Sequence, residues 1–127
     1  MYITIRPDDP RPIYQQIVDA IKALIAQGKL VEGAPLPPVR QVAADLGVNL
    51  NTVAAAYRLL QDEGLLAVRH GSGAVVASRT VVGQEDEKLR TPLRTALTQL
   101  VLAGLPRARI MAMVAAELRS LLKGAMK

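Results

Sequence analysis

The polar side chains that could share one task are crowded between residues 40 and 73. Arg40, Asn49, Asn51, Thr52, Arg58, Arg69 and His70 fall there, with Leu50 among them and the small run Gly71, Ser72, Gly73 at the end. Guanidinium, amide and hydroxyl groups are donors and acceptors suited to phosphate oxygens and to flat polar edges. They are not a bond-breaking set. The chain has no cysteine and a single histidine, and neither Ser72 nor Ser78 has a neighbouring base to activate it. Glu85, Asp86 and Glu87 are consecutive, the pattern of a charged connector rather than of opposed catalytic carboxylates. One imidazole excludes a metal site built from histidines. These residues argue against an enzyme and call for no cofactor and no metal.

The elements that must position this set begin at Leu36. Val39, Val42, Ala43 and Leu46 recur at the spacing of one helix face. Pro38 suits a first helical position, and Gly47 can take the left-handed conformation that ends a helix. Asn49 or Asn51 can then cap a second helix. In that helix Val53, Ala56, Tyr57 and Leu60 form the buried side, which turns Asn51, Thr52, Ala55, Arg58 and Asp62 outward. A short helix, a glycine turn and a helix with a polar start make a helix-turn-helix, which can lay its second helix in a DNA major groove. An αα-hairpin in an ordinary helical core is the competing reading. The next residues favour the first. Glu63-Gly64 ends the helix, Leu65, Leu66 and Val68 read as a strand, and Ala74, Val75 and Val76 read as its return across the glycine-rich turn. A hairpin directly after such a helix is a wing. Its small tip permits close approach to a phosphate backbone or a minor groove, where Arg69 and His70 can make contacts.

The 127 residues suffice for one core with an appendage. Half are apolar, yet Phe and Trp are absent and only three are Tyr, so the core must be aliphatic. The absence of cysteine fits a reducing, cytoplasmic setting. No signal peptide is expected, and no stretch is apolar and long enough to suggest a membrane span. The net charge of +5 permits a nucleic-acid partner without locating it. Residues 1–80 hold eight basic and seven acidic side chains, whereas residues 81–127 hold eight and four. Placement of the motif has to identify the face.

Upstream, Ile3 and Ile5 alternate with Thr4 as a short strand or an extended arm. A helix is expected over residues 12–27, with Tyr14, Ile17, Val18, Ile21, Leu24 and Ile25 as its apolar stripe. Gly28 stops it, and Leu30 and Leu36 bracket a loop containing Gly33 and Pro35. Taken together, Pro12-Ile13-Tyr14-Gln15-Gln16-Ile17, Gly28-x-Leu30-x-x-Gly33-x-x-Leu36-Pro37-x-x-Arg40, Ala43, Leu46-Gly47-Val48-Asn49, Asn51-Thr52-Val53, Ala56-Tyr57, Leu60, Glu63-Gly64-Leu65 and Gly71-x-Gly73 resemble the GntR family of bacterial transcription regulators. The resemblance covers about residues 10–78 and implies a winged helix-turn-helix. It implies that Arg40 is a DNA-contacting arginine, that Asn49, Asn51 and Thr52 lie where the recognition helix enters the groove, and that Gly71 to Gly73 form the wing tip. The chain departs from the pattern where many members carry Ser at Pro38 and Arg at Leu50 and Ala54. Direct readout then leans on Arg40, the asparagines, Thr52 and Arg58.

Residues 79–90 read as a linker with an acidic cluster, leading to a helix whose start lies between Gln84 and Pro92 and whose end is near Ala103. Gly104 closes it, and Pro106 opens a last helix to about Lys123. Leu93, Ala96, Leu97, Leu100, Val101 and Leu102 in one, and Ile110, Met111, Met113, Val114, Leu118, Leu121 and Leu122 in the other, make stripes wider than two helices can bury. A second copy of the chain is the economical partner. Membrane-surface binding is the competing account of the wide faces, weakened by the scattered polar residues. An unidentified small effector entering between the helices, walled by Met111 and Met113, is less favoured than those methionines being dimer core. The short tail resembles the YtrA subfamily, whose C-terminal region serves dimerisation. The expected fold is therefore mainly α with a small β-wing: a winged helix-turn-helix over residues 1–78 and a two-helix dimerisation tail over residues 91–127. The expected function is a homodimeric repressor of transcription on a palindromic operator in double-stranded DNA. The alternative is a winged-helix module that binds protein without specific DNA binding.

Overall fold

The computed structural model describes Met1 and residues 3–69, 73–78 and 86–122, with the backbone alone at Arg69 and Asp86. The chain divides into two compact units, Met1–Arg79 and Thr80–Lys127. In the first, helix α1 spans Ile13–Ala26, α2 Val39–Leu46 and α3 Leu50–Asp62, followed by strands β1 (Leu66–Arg69) and β2 (Gly73–Val76). In the second, α4 spans Asp86–Leu102 and α5 Arg107–Leu122. This is the mainly helical fold with a two-stranded wing that the spacing predicts.

The first unit is held by one aliphatic cluster. Ile17, Val18 and Ile21 of α1, Val42 and Ala43 of α2, and Val53, Ala56, Tyr57 and Leu60 of α3 are buried in it, with Leu66 and Val76 closing it from the wing. The α3 face is the expected one. On α1 the stripe is narrower, for Tyr14 is exposed. Gln16 is buried instead. Its Nε2 donates to the carbonyls of Arg6 and Arg11, both at 3.2 Å, and its Oε1 accepts the Arg6 N–H at 2.9 Å. A buried amide is tolerable only when so partnered. The result is that residues 3–6 run as an arm rather than a strand, with Ile3 and Ile5 packed against the cluster.

The wing pairs antiparallel in the register Leu66↔Val76, Ala67↔Val75, Val68↔Ala74 and Arg69↔Gly73. A third extended segment joins it. Leu36 N–H donates to the Ala74 carbonyl and Val76 N–H to that of Ala34, both at 2.9 Å, with Pro35 bridging Val75. The residues before α2 are thus stitched to β2, which fixes the wing relative to the helix-turn-helix. On the opposite side, Lys22 and Glu63 form a 2.7 Å ion pair between α1 and the end of α3.

In the second unit α4 begins within the interval expected, and Pro92 lies inside the helix rather than at its start. A proline there leaves the carbonyl one turn back without its N–H. Thr91 Oγ1 donates to the Glu87 carbonyl at 3.0 Å, in the same turn. No residue of α5 is buried. Among the described residues no helix is long and apolar enough to cross a membrane. The arm yields a stability prediction. Gln16→Leu strands three backbone groups and is expected to cost about 1–3 kcal/mol, read as a lower urea midpoint with faster amide exchange at Arg6; unchanged exchange there would show that Gln16 does not hold the arm.

Candidate nucleic-acid interface

The turn between α2 and α3 is built as the residue types require. Gly47 ends α2 at φ 67°, ψ 35°, a left-handed conformation that a side chain would strain. Asn49 is the cap of α3, and its Oδ1 accepts the Asn51 N–H at 2.7 Å. Of the two asparagines, Asn49 therefore does the capping. Its side-chain NH2 stays available, and Asn51 is exposed with its amide uncommitted among the described residues. Leu50 is also exposed, at 42%, and Thr52 is half-buried. The first turn of α3 thus projects outward.

Farther along α3, Ala54, Tyr57, Arg58 and Gln61 face a groove of about 660 Å³, with Pro38 and Val39 at its other wall and Val68, Gly73 and Ala74 of the wing at its end. One trough thereby joins the start of α2, the outer flank of α3 and the wing. Arg58 lines it, and Arg40 follows Val39 on an exposed position. Among the described residues Arg40 makes no ion pair, with Asp45 or any other acid, and neither does Arg58. Arg11 and Lys22 are by contrast paired to acids. Arg6 and Lys29 make no ion pair among the described residues either, so it is the trough beside α3, and not pairing alone, that singles out Arg58 and the neighbouring Arg40. The side chain of Arg69, and His70, Gly71 and Ser72, lie outside the described residues; Gly73 opens β2 at φ 74°.

Tyr57 is a core residue rather than a stacking surface. It is 4% exposed, and its hydroxyl donates to the Pro37 carbonyl at 2.7 Å. That bond ties α3 to the residues leading into α2, and so sets the position of Arg40 relative to Arg58. Desolvation disfavours the phenolate and pushes the pKa up to about 12.

Residues 13–76 match the family described as "Bacterial regulatory proteins, gntR family". The chain belongs to the GntR family. It is 33% identical over 100 residues to the HTH-type transcriptional repressor YtrA of Bacillus subtilis, covering 79% of this chain and 76% of that one. The similarity to YtrA extends past the wing into the tail, as the YtrA-like resemblance implies. Among solved structures, a transcriptional antiterminator from Listeria monocytogenes EGD-e superposes with a TM-score of 0.85 at 30% identity, over 96% of this chain and 93% of that one. The AraR DNA-binding domain, in complex with operator ORX1, matches with a TM-score of 0.54 at 27% identity, over 61% of this chain and 99% of that one. In three other relatives, all regulatory proteins by name, the matched stretch fills only 14–29% of a longer chain.

The Tyr57 hydroxyl gives a test of the scaffold beneath this face. Tyr57→Phe leaves the Pro37 carbonyl without its donor and is expected to cost about 1 kcal/mol. Above pH 10 the unfolded chain releases the Tyr57 proton while the folded chain retains it, so stability falls between about pH 10 and about pH 12. Urea titrations across that range should show a shallower alkaline loss in Tyr57→Phe; an identical loss would mean that the buried phenol is not its source.

Proposed function

We propose that this protein is a sequence-specific repressor of transcription that binds a palindromic operator as a homodimer in the cytoplasm. The observation that carries the reading is the outward first turn of α3 with Arg58 on the adjoining trough and Arg40 one residue past its wall at Val39, both without an ion-pair partner among the described residues. Asn51, Thr52 and the side-chain NH2 of Asn49 would meet base edges, Arg40 and Arg58 bases or phosphates, and Arg69, His70 and the Gly71–Gly73 tip the neighbouring backbone or minor groove. The repressor relative and the operator-bound structural neighbour support the assignment. We propose residues 1–78 as the DNA-binding domain, residues 79–90 as the connector and residues 91–127 as the dimerisation region.

The second copy is proposed from the tail. Leu93, Val101, Leu102, Met111, Leu118 and Leu122 are all exposed, Leu102 to 81%. Two helices with this much apolar surface in water lack the burial that stabilises short helices. The depression of about 460 Å³ lined by Leu97, Val101, Ile110, Met111 and Val114 belongs to the same surface, so we assign it to the partner helix before any small effector. A two-fold pair would present two recognition helices to half-sites roughly one helical turn apart, or a multiple of that. One observation favours a protein partner instead: the trough is mostly apolar, with Pro38, Val39, Ala54 and Val68 in its walls. Binding to duplex DNA that falls steeply with salt supports the repressor reading, since phosphate contacts release counterions; no binding at low salt supports the other.

Arg40→Ala is expected to weaken binding to a selected operator on the order of tenfold or more while the dimer persists. A gel-shift titration with unchanged affinity removes Arg40 from the site. Leu102→Glu is expected to shift sedimentation equilibrium from dimer to monomer, and a wild-type chain already monomeric at micromolar concentration contradicts the dimer.

A further inference from the structure

The flank of α3 that leads into the groove is apolar for its first two turns. Leu50 opens the helix at 42% exposure, and Ala54, one turn on, lines the trough. The next donor beyond them is Arg58, eight residues past Leu50 and therefore about 12 Å along the axis and about 80° around it. Asn51 stands about 100° around from Leu50, on the same outer face as Arg58. Wherever α3 enters a major groove, the base pairs opposite Leu50 and Ala54 meet no hydrogen-bond donor from those two side chains.

Guanine presents two acceptors in the major groove and is served by arginine or lysine, whereas thymine alone presents an apolar group, its C5-methyl. A leucine held in water at a capped helix start gains by covering such a methyl, because both surfaces leave water together. Opposite a guanine or cytosine edge it would desolvate polar groups and return nothing. The folded chain gives Leu50 no internal partner in the apolar cluster that holds its own unit.

Resting on the DNA-binding reading above, we infer that Leu50, backed by Ala54, is a specificity-determining residue that selects A·T pairs by contact with thymine methyl groups in each half-site. Polar readout by Asn51, Arg40 and Arg58 then flanks a methyl-reading position rather than a guanine-reading one.

The test begins with selection of duplexes from a random-sequence library by the full wild-type chain. In the tightest duplex, thymines are replaced one symmetric pair at a time by deoxyuridine, which removes the methyl and keeps base pairing. At one pair of positions the affinity should fall roughly fourfold per half-site, the worth of one buried methyl group. Leu50→Ala should bind the original duplex more weakly and be indifferent to deoxyuridine at those positions, with helical circular dichroism unchanged. Affinity insensitive to every replacement overturns the inference and leaves the DNA-binding reading standing. Equal sensitivity in Leu50→Ala assigns the methyl to another side chain. Failure to select any duplex at low salt defeats the DNA-binding reading and this inference with it.

Discussion

Everything on the candidate face depends on the burial of one side of α3. Val53, Ala56 and Leu60 are fully enclosed, and Tyr57 is nearly so. Their packing against Ile17, Val18 and Ile21 of α1 fixes the rotation of the helix about its axis. With that rotation fixed, the remaining positions have no freedom: Asn51 and Arg58 must point outward, and Leu50 and Ala54 must flank them. Truncating core side chains of this size costs about 1–5 kcal/mol, a large part of the stability of a small domain. A polar surface ion pair such as Lys22–Glu63 contributes far less. The recognition face is positioned by the core, not by its own contacts.

The connections refine what the core sets. Tyr57 anchors α3 to the Pro37 carbonyl, and Leu36 and Ala34 are bonded to β2, so the segment before α2 is gripped from two directions. Arg40 hangs from the end of that segment. Its lack of an ion partner among the described residues therefore belongs to a fixed position, one residue from the wall of a groove closed by the wing. Rigid placement of unneutralised charge is what lets a small domain meet a polyanion without first rearranging.

Much of this was legible in the sequence because helical periodicity and cap chemistry are local. The four buried residues of α3, the left-handed Gly47 and the hairpin after Gly64 all follow from spacing and residue type. The tail helices were equally plain from their stripes. What was not legible depends on contacts distant in sequence. Gln16 looks like a surface residue until the backbone of Arg6 and Arg11 is seen folded over it. Tyr14 fits the apolar stripe by number yet is exposed, because no described element of its own unit covers that edge of α1. The stretch around Pro35 carries loop residues, and its pairing with β2 has no local signature. Proline within α4 contradicts its usual place at a helix start. For the site, residue types, helix facing and the family resemblance named Arg40 and Arg58, and what only the structure adds is that, unlike Arg11 and Lys22, they make no ion pair among the described residues.

The central claim is that the outward edge of α3, from Asn49 to Arg58, enters a DNA groove with the wing beside it. Backbone amide shifts of the full chain, followed by NMR while a selected duplex is titrated in, address it directly. The account predicts that the largest changes fall on residues 49–54, on Arg40 and on β1 and β2, with α1 nearly silent. Changes concentrated on α1, or the absence of any change with a duplex at low salt, would contradict it.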